Sequence, residues 1–309
     1  MGLRVTLLAG GTGGTKLAHG FALIGPQVEL TVIANVGDDA EIYGLHVSPD
    51  VDTLLYTLSG IVDAGRGWGV RDDTYSAHLM LARLGEPTWF TIGDGDLATH
   101  VHRTRRLREG ASLTDATAAM AAALGIDARI LPATDDRLRT RLETDAGLLE
   151  FQDYFVRLRQ KPTVTGIRLD GLADARPTVA VLAAVREADL VVIGPSNPFV
   201  SIGPILELAG MREALAAATA QKVAVSPIVA GHALKGPADR MLASMGHEAS
   251  ALGVARLYAG LVDRFVIDTA DARLRPQIEA LGMAVEVLPT VMAADDDRRA
   301  LATALLRGA

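Results

Sequence analysis

Leu3-Arg4-Val5-Thr6-Leu7-Leu8-Ala9-Gly10-Gly11-Thr12-Gly13-Gly14-Thr15-Lys16 decides the fold. An apolar run of β-forming residues enters a turn of four glycines, and a helical pattern follows. Glycines there let backbone N–H groups approach an anion, and the helix N-terminus adds partial positive charge. The stretch is not a P-loop, because Lys16 follows Thr15 and precedes Leu17. As a dinucleotide fingerprint it is imperfect: Gly11-x-Gly13 is present, but Lys16 stands where the third glycine belongs. A bare strand–helix turn is the plain alternative. The four glycines in this context favour a phosphate or diphosphate cradle built from Gly10, Gly11, Thr12, Gly13 and Gly14, with Lys16 beside it.

Outward from this stretch, short apolar runs alternate with helical ones. Leu30 to Asn35, Leu190 to Ile193, Lys222 to Ser226, Arg264 to Asp268 and Ala284 to Leu288 read as further strands. Continuous apolar runs of this length suit parallel strands buried on both faces. Helices are expected at Thr15 to Leu23, Ile202 to Ala218, Ala233 to Met245, Asp271 to Leu281 and Asp295 to Leu306. The alternation predicts an α/β fold, a mostly parallel doubly wound sheet, in one domain spanning 1–309. The stretch 96–176 reads as a largely helical insertion capping the sheet. Within it, Ser112-Leu113-Thr114-Asp115 opens an Ala-rich helix, and Leu148 to Arg157 reads as a strand or edge ribbon.

Of the 309 residues, 49% are hydrophobic and 22% charged, an ordinary globular balance that needs no staples to build a core. The absence of cysteine excludes disulfides, thiolate metal sites and cysteine nucleophiles. A net charge of −7 argues against a nucleic-acid face. The basic run Arg103, Arg105, Arg106, Arg108 is short and reads as a solvated face or a local anion contact. No apolar run approaches the ~20 residues of a membrane span. The opening residues carry no signal-peptide pattern, so the expected location is the cytoplasm.

The remaining motifs follow strands. Asn35-Val36-Gly37-Asp38-Asp39 and Ser48-Pro49-Asp50-Val51-Asp52-Thr53 place carboxylates beside the glycine turn. Such acids can hold Mg²⁺ together with substrate phosphate, which selects Asp38 and Asp50. The plainer roles are a turn residue for Asp38 and a helix cap for Asp52. Gly93-Asp94-Gly95-Asp96-Leu97-Ala98-Thr99-His100-Val101-His102 looks like a metal site, yet His-x-His alone is weak evidence for zinc. A substrate-contact loop is preferred, with Asp94 orienting a hydroxyl or ring N–H and His100 a secondary contact. Gly194-Pro195-Ser196-Asn197-Pro198 offers Ser196 and Asn197 to a base or ribose. Ser226 to Pro237 offers glycine amides and the Lys235 charge to phosphate. In open α/β sheets this edge carries the ligand.

Taken in order, these motifs and Phe151-Gln152-Asp153-Tyr154-Phe155 resemble the 2-phospho-L-lactate transferase family of deazaflavin coenzyme biosynthesis, from Leu3 to about Asp268. The resemblance implies a Rossmann-like fold, a homodimer and Mg²⁺ dependence. It implies transfer of a phospho-acyl group from a guanylyl diphosphate diester to the ribityl hydroxyl of the deazaflavin FO, with release of GMP, giving the coenzyme F-420 core. On that reading Mg²⁺ sits on Asp38 and Asp50, with Asp52 a possible third ligand. Gly11 to Gly14 hold the diphosphate, and Ser196 and Asn197 lie by guanosine. Asp94, Asp96 and Thr99 line the deazaflavin side, and Asp50 or its metal acts as base. Small-molecule substrates are the expected partners, with neither nucleic acid nor membrane. The competing readings are an NAD- or sugar-nucleotide enzyme, disfavoured by the missing acidic ribose ligand at Asn35, and a binding protein without turnover.

Overall fold

The computed structural model describes residues 2–308. Strands β1 (Leu3–Ala9) and β2 (Val28–Ala34) pair in parallel from Leu3 opposite Val28 to Ala9 opposite Ala34. Leu7, Leu8, Val32 and Ile33 are wholly buried, as continuous apolar strands must be when helices cover both sheet faces. Helix α1 (Gly11–Ala22) links them. It begins at the glycine turn, four residues earlier than the sequence pattern suggested, so Gly11 to Gly14 form its first turn.

A small hairpin follows, β3 (Ala40–Ile42) with β4 (Leu45–Val47), and then α2 (Pro49–Leu58), α3 (Ser76–Arg83), α4 (Asp94–Arg108) and α5 (Leu113–Ala123). Ser112 and Asp115 close the capping box that starts α5. Strand β5 (Arg129–Pro132) returns to the main sheet beside β2. Next come β6 (Arg139–Thr144), β7 (Gly147–Glu150) and β8 (Val164–Asp170), a separate antiparallel sheet in the order β7-β6-β8.

The stretch 96–176 therefore carries more strand than its sequence suggested. The physical reason is visible in β6, where Thr140 and Leu142 point inward and Arg139, Arg141 and Glu143 stay partly exposed. Leu142 joins Tyr154, Val164, Val200 and Met241 in a small second core that fastens this sheet to the body. The ribbon expected from Leu148 to Arg157 is a strand only to Glu150. A turn of π-helix, Asp153–Arg157, follows it.

The chain then re-enters the main sheet through α6 (Val179–Glu187) and β9 (Leu190–Ile193), continuing to β10 (Gln221–Val225), the tiny hairpin β11 (Ile228–Val229) with β12 (His232–Ala233), β13 (Arg264–Asp268) and β14 (Ala284–Leu288). The main sheet has seven parallel strands in the order β14-β13-β10-β9-β1-β2-β5. The helix expected from Ile202 to Ala218 is broken into Pro198–Ile202, Gly203–Leu206 and Met211–Ala217, with Gly210 at φ 88°. The C-terminal helix Asp295–Leu305 packs on α1 at Gly20, where a Cβ would run into the Arg298 carbonyl. No helix among the described residues is long and apolar enough to cross a membrane.

From β1 the chain builds outward to β2 and β5, then returns to β9 on the other side of β1 and builds outward to β14. The strand order thus reverses between β1 and β9. At such a switch point the loops leaving the carboxyl ends part and open a crevice. The Gly10–Gly14 and Gly194–Pro198 turns are the two loops that flank it.

Candidate active site

Close packing explains the glycines first. A Cβ on Gly10 would lie 2.6 Å from Asp50 Oδ2, and one on Gly14 would lie 2.6 Å from Ser196 Oγ. On Gly13 it would collide with the Pro195 carbonyl. The two switch-point loops therefore touch backbone to backbone, and only glycine permits it. Gly11 takes φ +62°, which turns its amide onto Asp50 Oδ1 at 2.6 Å. Gly10 N donates to the buried Ser196 Oγ at 3.3 Å. Among the described residues, the Thr12 and Gly13 amides meet no acceptor. They are the open donors of the α1 N-terminus, the arrangement that binds anions.

Asp38 and Asp50 come together beside this turn. One side-chain amide joins them: Asn35 Nδ2 donates to Asp38 Oδ1 at 3.1 Å and to Asp50 Oδ2 at 2.9 Å. Asn35 is itself aimed by the Gly37 amide, which donates to its Oδ1 at 2.8 Å. Gln152, from the π-helix entry, donates to the Asp38 carbonyl at 2.8 Å and fixes the backbone there. Both carboxylates are buried, and among the described residues no lysine or arginine forms an ion pair with either. Burial, then the neighbouring Asp50 and Asp39 charges, push the Asp38 carboxyl well above the usual range. Burial pushes Asp50 up to about 6 against the opposing hydrogen bonds from Asn35 and Gly11.

Uncompensated carboxylate charge of this kind fits a hard divalent cation. The donors are all oxygen, and no group of three or more His, Asp or Glu forms a closed cage among the described residues. Mg²⁺ is commonly held by one or two carboxylates plus substrate phosphate and water, which suits this pair. Asp39 is not part of it. It accepts from Ser48 Oγ at 2.6 Å and meets His46 Nε2 at 2.8 Å, bracing the β3–β4 hairpin against α2.

Asp52, offered by the sequence as a third ligand, points away. Both its oxygens meet the guanidinium of Arg103, with Arg103 Nη1 on Oδ2 at 3.2 Å and Nη2 closer still on Oδ1. Arg103 is fully buried, so the basic run of α4 is not uniformly a solvated face. His100 is buried with it, its Nδ1 3.6 Å from Asp52 and its Nε2 3.3 Å from Asp96. Asp96 accepts from Tyr56 Oη at 2.7 Å.

This buried network clamps α2 to α4, with Asp96 and His100 held between the two helices. Asp94 is likewise engaged. It accepts from Thr74 Oγ1 at 2.5 Å, Ser76 N at 3.0 Å and Ala77 N at 2.9 Å, capping α3, while Asp73 caps α4 through Gly95 N at 2.8 Å and Asp96 N at 3.1 Å. A carboxylate that serves three donors of its own chain is a clasp.

Asn197 also turns inward. Its Oδ1 accepts from Phe199 N at 2.9 Å and Val200 N at 3.4 Å, starting the Pro198–Ile202 turn, and its Nδ2 faces Met241 Sδ at 3.3 Å. Lys16 and Lys235 both reach backbone carbonyls. Lys16 donates to the Met292 carbonyl at 2.8 Å, and burial, then the nearby Arg298 and Lys235 charges, lower its pKa. Lys235 donates to the Arg66 carbonyl at 2.9 Å. A Cβ placed on Gly67 would lie 2.7 Å from Lys235 Nζ and 3.8 Å from Thr12 Cγ2, so Lys235 stands over the α1 N-terminus.

An open parallel α/β sheet whose switch point joins an anion cradle to a buried pair of metal-type carboxylates defines a phosphate-handling enzyme class. The family model for 2-phospho-L-lactate transferase CofD matches residues 5–295, and the chain belongs to that family. It is 42% identical over 297 residues to a phosphoenolpyruvate transferase of Kitasatospora aureofaciens, covering 94% of this chain and 92% of that protein. It is 39% identical over 296 residues to a 2-phospho-L-lactate transferase of Methanosarcina mazei, covering 96% and 97%. A solved protein of Bacillus halodurans superposes with a TM-score of 0.67 over 99% of this chain and 100% of that one, at 20% identity, which shows a shared fold.

Proposed function

We propose that this chain transfers a phospho-acyl group from a guanylyl diphosphate diester to the terminal ribityl hydroxyl of FO, with Mg²⁺, in the cytoplasm. The observation that carries the reading is the Asp38–Asp50 pair, held by Asn35 against the open amides of α1. Family membership supports the substrate class.

In the reaction the acceptor oxygen bonds to the phosphorus that bears the small acid. The bond from that phosphorus to the bridging oxygen breaks, GMP leaves with the electron pair, and the hydroxyl proton must be removed. The leaving group is already good, so positioning and charge neutralisation are the main tasks. The Thr12 and Gly13 amides and the Lys235 ammonium take the diphosphate charge. Mg²⁺, held by Asp38 and Asp50, would neutralise phosphate charge and lower the acceptor's pKa. Asp50, or the metal it would hold, is the group placed to take the hydroxyl proton. The small acid is phospholactate, phosphoenolpyruvate or phosphoglycerate; relatives named for the first two match at 39% and 42% identity.

Purified protein given donor, FO and Mg²⁺ is expected to release GMP, and to release none when any one of the three is omitted. GMP release without FO would point to a hydrolase. Tight binding of FO without turnover would favour a binding protein.

A homodimer belongs to the same proposal. No residue of α3 is buried, and Leu79 and Leu84 are 64% and 73% exposed beside an apolar depression lined by Tyr43, Leu45, Met80, Leu81 and Leu97. Contiguous exposed apolar surface of this kind marks an association face. Light scattering should give twice the chain mass for the wild type and a single-chain mass for Leu79→Glu/Leu84→Glu. A dimer that survives both changes would move the interface elsewhere.

A further inference from the structure

The loop between α2 and α3 enters none of the chemistry above, yet it closes over the cradle. It is an ordered hairpin. Val62 bridges Val70, Asp63 N donates to Gly69 O at 3.0 Å, Gly67 N to Asp63 O at 2.8 Å and Arg71 N to Ile61 O at 2.7 Å. The Asp63 carboxylate accepts from Gly65 N at 2.9 Å and Arg66 N at 3.1 Å, which fixes the tip. At that tip Trp68 stands between Gly67 at φ 75° and Gly69 at φ 71°. Two left-handed residues in alternation turn the chain sharply on either side of it, a conformation glycine adopts without strain.

Trp68 remains 45% exposed, although every neighbour that orients the loop is in place. The Arg66 guanidinium lies 5.6 Å from the Trp68 ring centroid and 5.4 Å from that of Tyr75. The tip is tied to the phosphate side by Lys235 on the Arg66 carbonyl, and Gly67 lies against Lys235 Nζ and Thr12. An indole held on a rigid tip, one residue from the contact with the anion cradle, is placed to cover a ring whose phosphate or ribityl tail runs into that cradle. The indole offers a large planar face, and the guanidinium beside it stacks on ring π-systems.

We propose that Trp68, with Arg66, forms a stacking platform for a planar heteroaromatic ring of the ligand. The inference rests on the transferase reading of the same site, which supplies two rings of that chemistry: the deazaflavin of FO and the guanine of the donor.

The test titrates FO and, separately, GDP with Mg²⁺ into the wild type, Trp68→Ala, Trp68→Phe and Arg66→Ala by calorimetry, with circular dichroism to check folding. Trp68→Ala is expected to weaken one of the two ligands about tenfold, in line with stacking worth ~1–3 kcal/mol per ring. It should leave the other within twofold, and Trp68→Phe should recover most of the loss because it restores a ring. The ligand that weakens identifies the ring. In a Trp89→Phe background, where Trp68 is the only tryptophan left, the same ligand should quench the remaining emission. Wild-type affinity of Trp68→Ala for both ligands would overturn the platform while leaving the transferase reading intact. A wild type that binds neither FO nor GDP would defeat that reading, and the platform with it.

Discussion

Asp38→Asn will lose at least a hundredfold in GMP release with Mg²⁺, yet it will melt at a higher temperature than the wild type in metal-free buffer at neutral pH. The two effects share one cause. Asp38 and Asp50 are buried together with an amide between them and, among the described residues, no cationic side chain in contact. An acid whose folded-state pKa lies above its unfolded value binds its proton more tightly when folded. Its contribution is therefore favourable at low pH and is lost as pH rises from the unfolded value through the folded one. For Asp50 that window runs from 3.8 to about 6. A shift of that size is worth about 3 kcal/mol at neutral pH, and Asp38 is shifted in the same direction.

Asparagine at 38 removes one charge while its side-chain carbonyl still accepts from Asn35, so the remaining Asp50 loses its nearest repulsion. The Asp38→Asn melting temperature should exceed that of the wild type by several degrees at pH 7.5, and the gap should narrow as pH falls toward 4. Adding Mg²⁺ should raise the wild type and leave the variant nearly unmoved, since only a folded state that binds the ion gains from it. A variant that is less stable at every pH, or that retains wild-type turnover, would remove Asp38 from the metal pair.

Arg103→Met is expected to cost about 3–5 kcal/mol of stability, the penalty for stripping a buried carboxylate of its arginine partner. The loss would be read by urea denaturation. The affected carboxylate is Asp52, one turn into the helix that carries Asp50. Arg103 also donates to the His46 carbonyl at 3.2 Å, so the change loosens α2, the β3–β4 hairpin and α4 together. Arg103→Met/Asp52→Leu should recover much of the stability, because apolar replacement of a whole buried pair is often neutral or better. A loss below about 1 kcal/mol for Arg103→Met would place the pair among ordinary surface bridges.

Much of the fold is legible in the sequence because parallel strands buried on both faces leave continuous apolar runs. β1, β9 and β13 coincide with such runs, and the edge strand β14, where only Val285 is buried, matches its expected span as well. β5 left no comparable trace, since its four residues begin with Arg129 and end with Pro132. The β6–β8 sheet is half-solvated and alternates, and its arginines and glutamates masked the pattern.

At the site, acids that directly follow a strand or open a helix beside a glycine turn were readable, so Asp38 and Asp50 stood out. Asn35 was passed over because an uncharged residue at a strand end announces nothing, although it joins the two carboxylates. Asp94 and Asp96 read as ligand contacts because a turn acid looks the same in sequence whether it caps a helix or meets a ligand; in the fold Asp94 serves Thr74, Ser76 and Ala77, and Asp96 serves Tyr56. One signal was available: Asp96, His100 and Arg103 fall at i, i+4 and i+7, the spacing of one helix face, and that face is buried. Lys235 lies far along the chain from Thr12, and only folding brings them together.

Mass spectrometry of FO after incubation with this protein, Mg²⁺ and each of the three guanylated phospho-acids tests the account most directly. The account predicts that one donor or more converts FO to a product heavier by its phospho-acyl group, with one GMP formed per product. FO recovered unchanged with all three donors, and no GMP in any reaction, would contradict it.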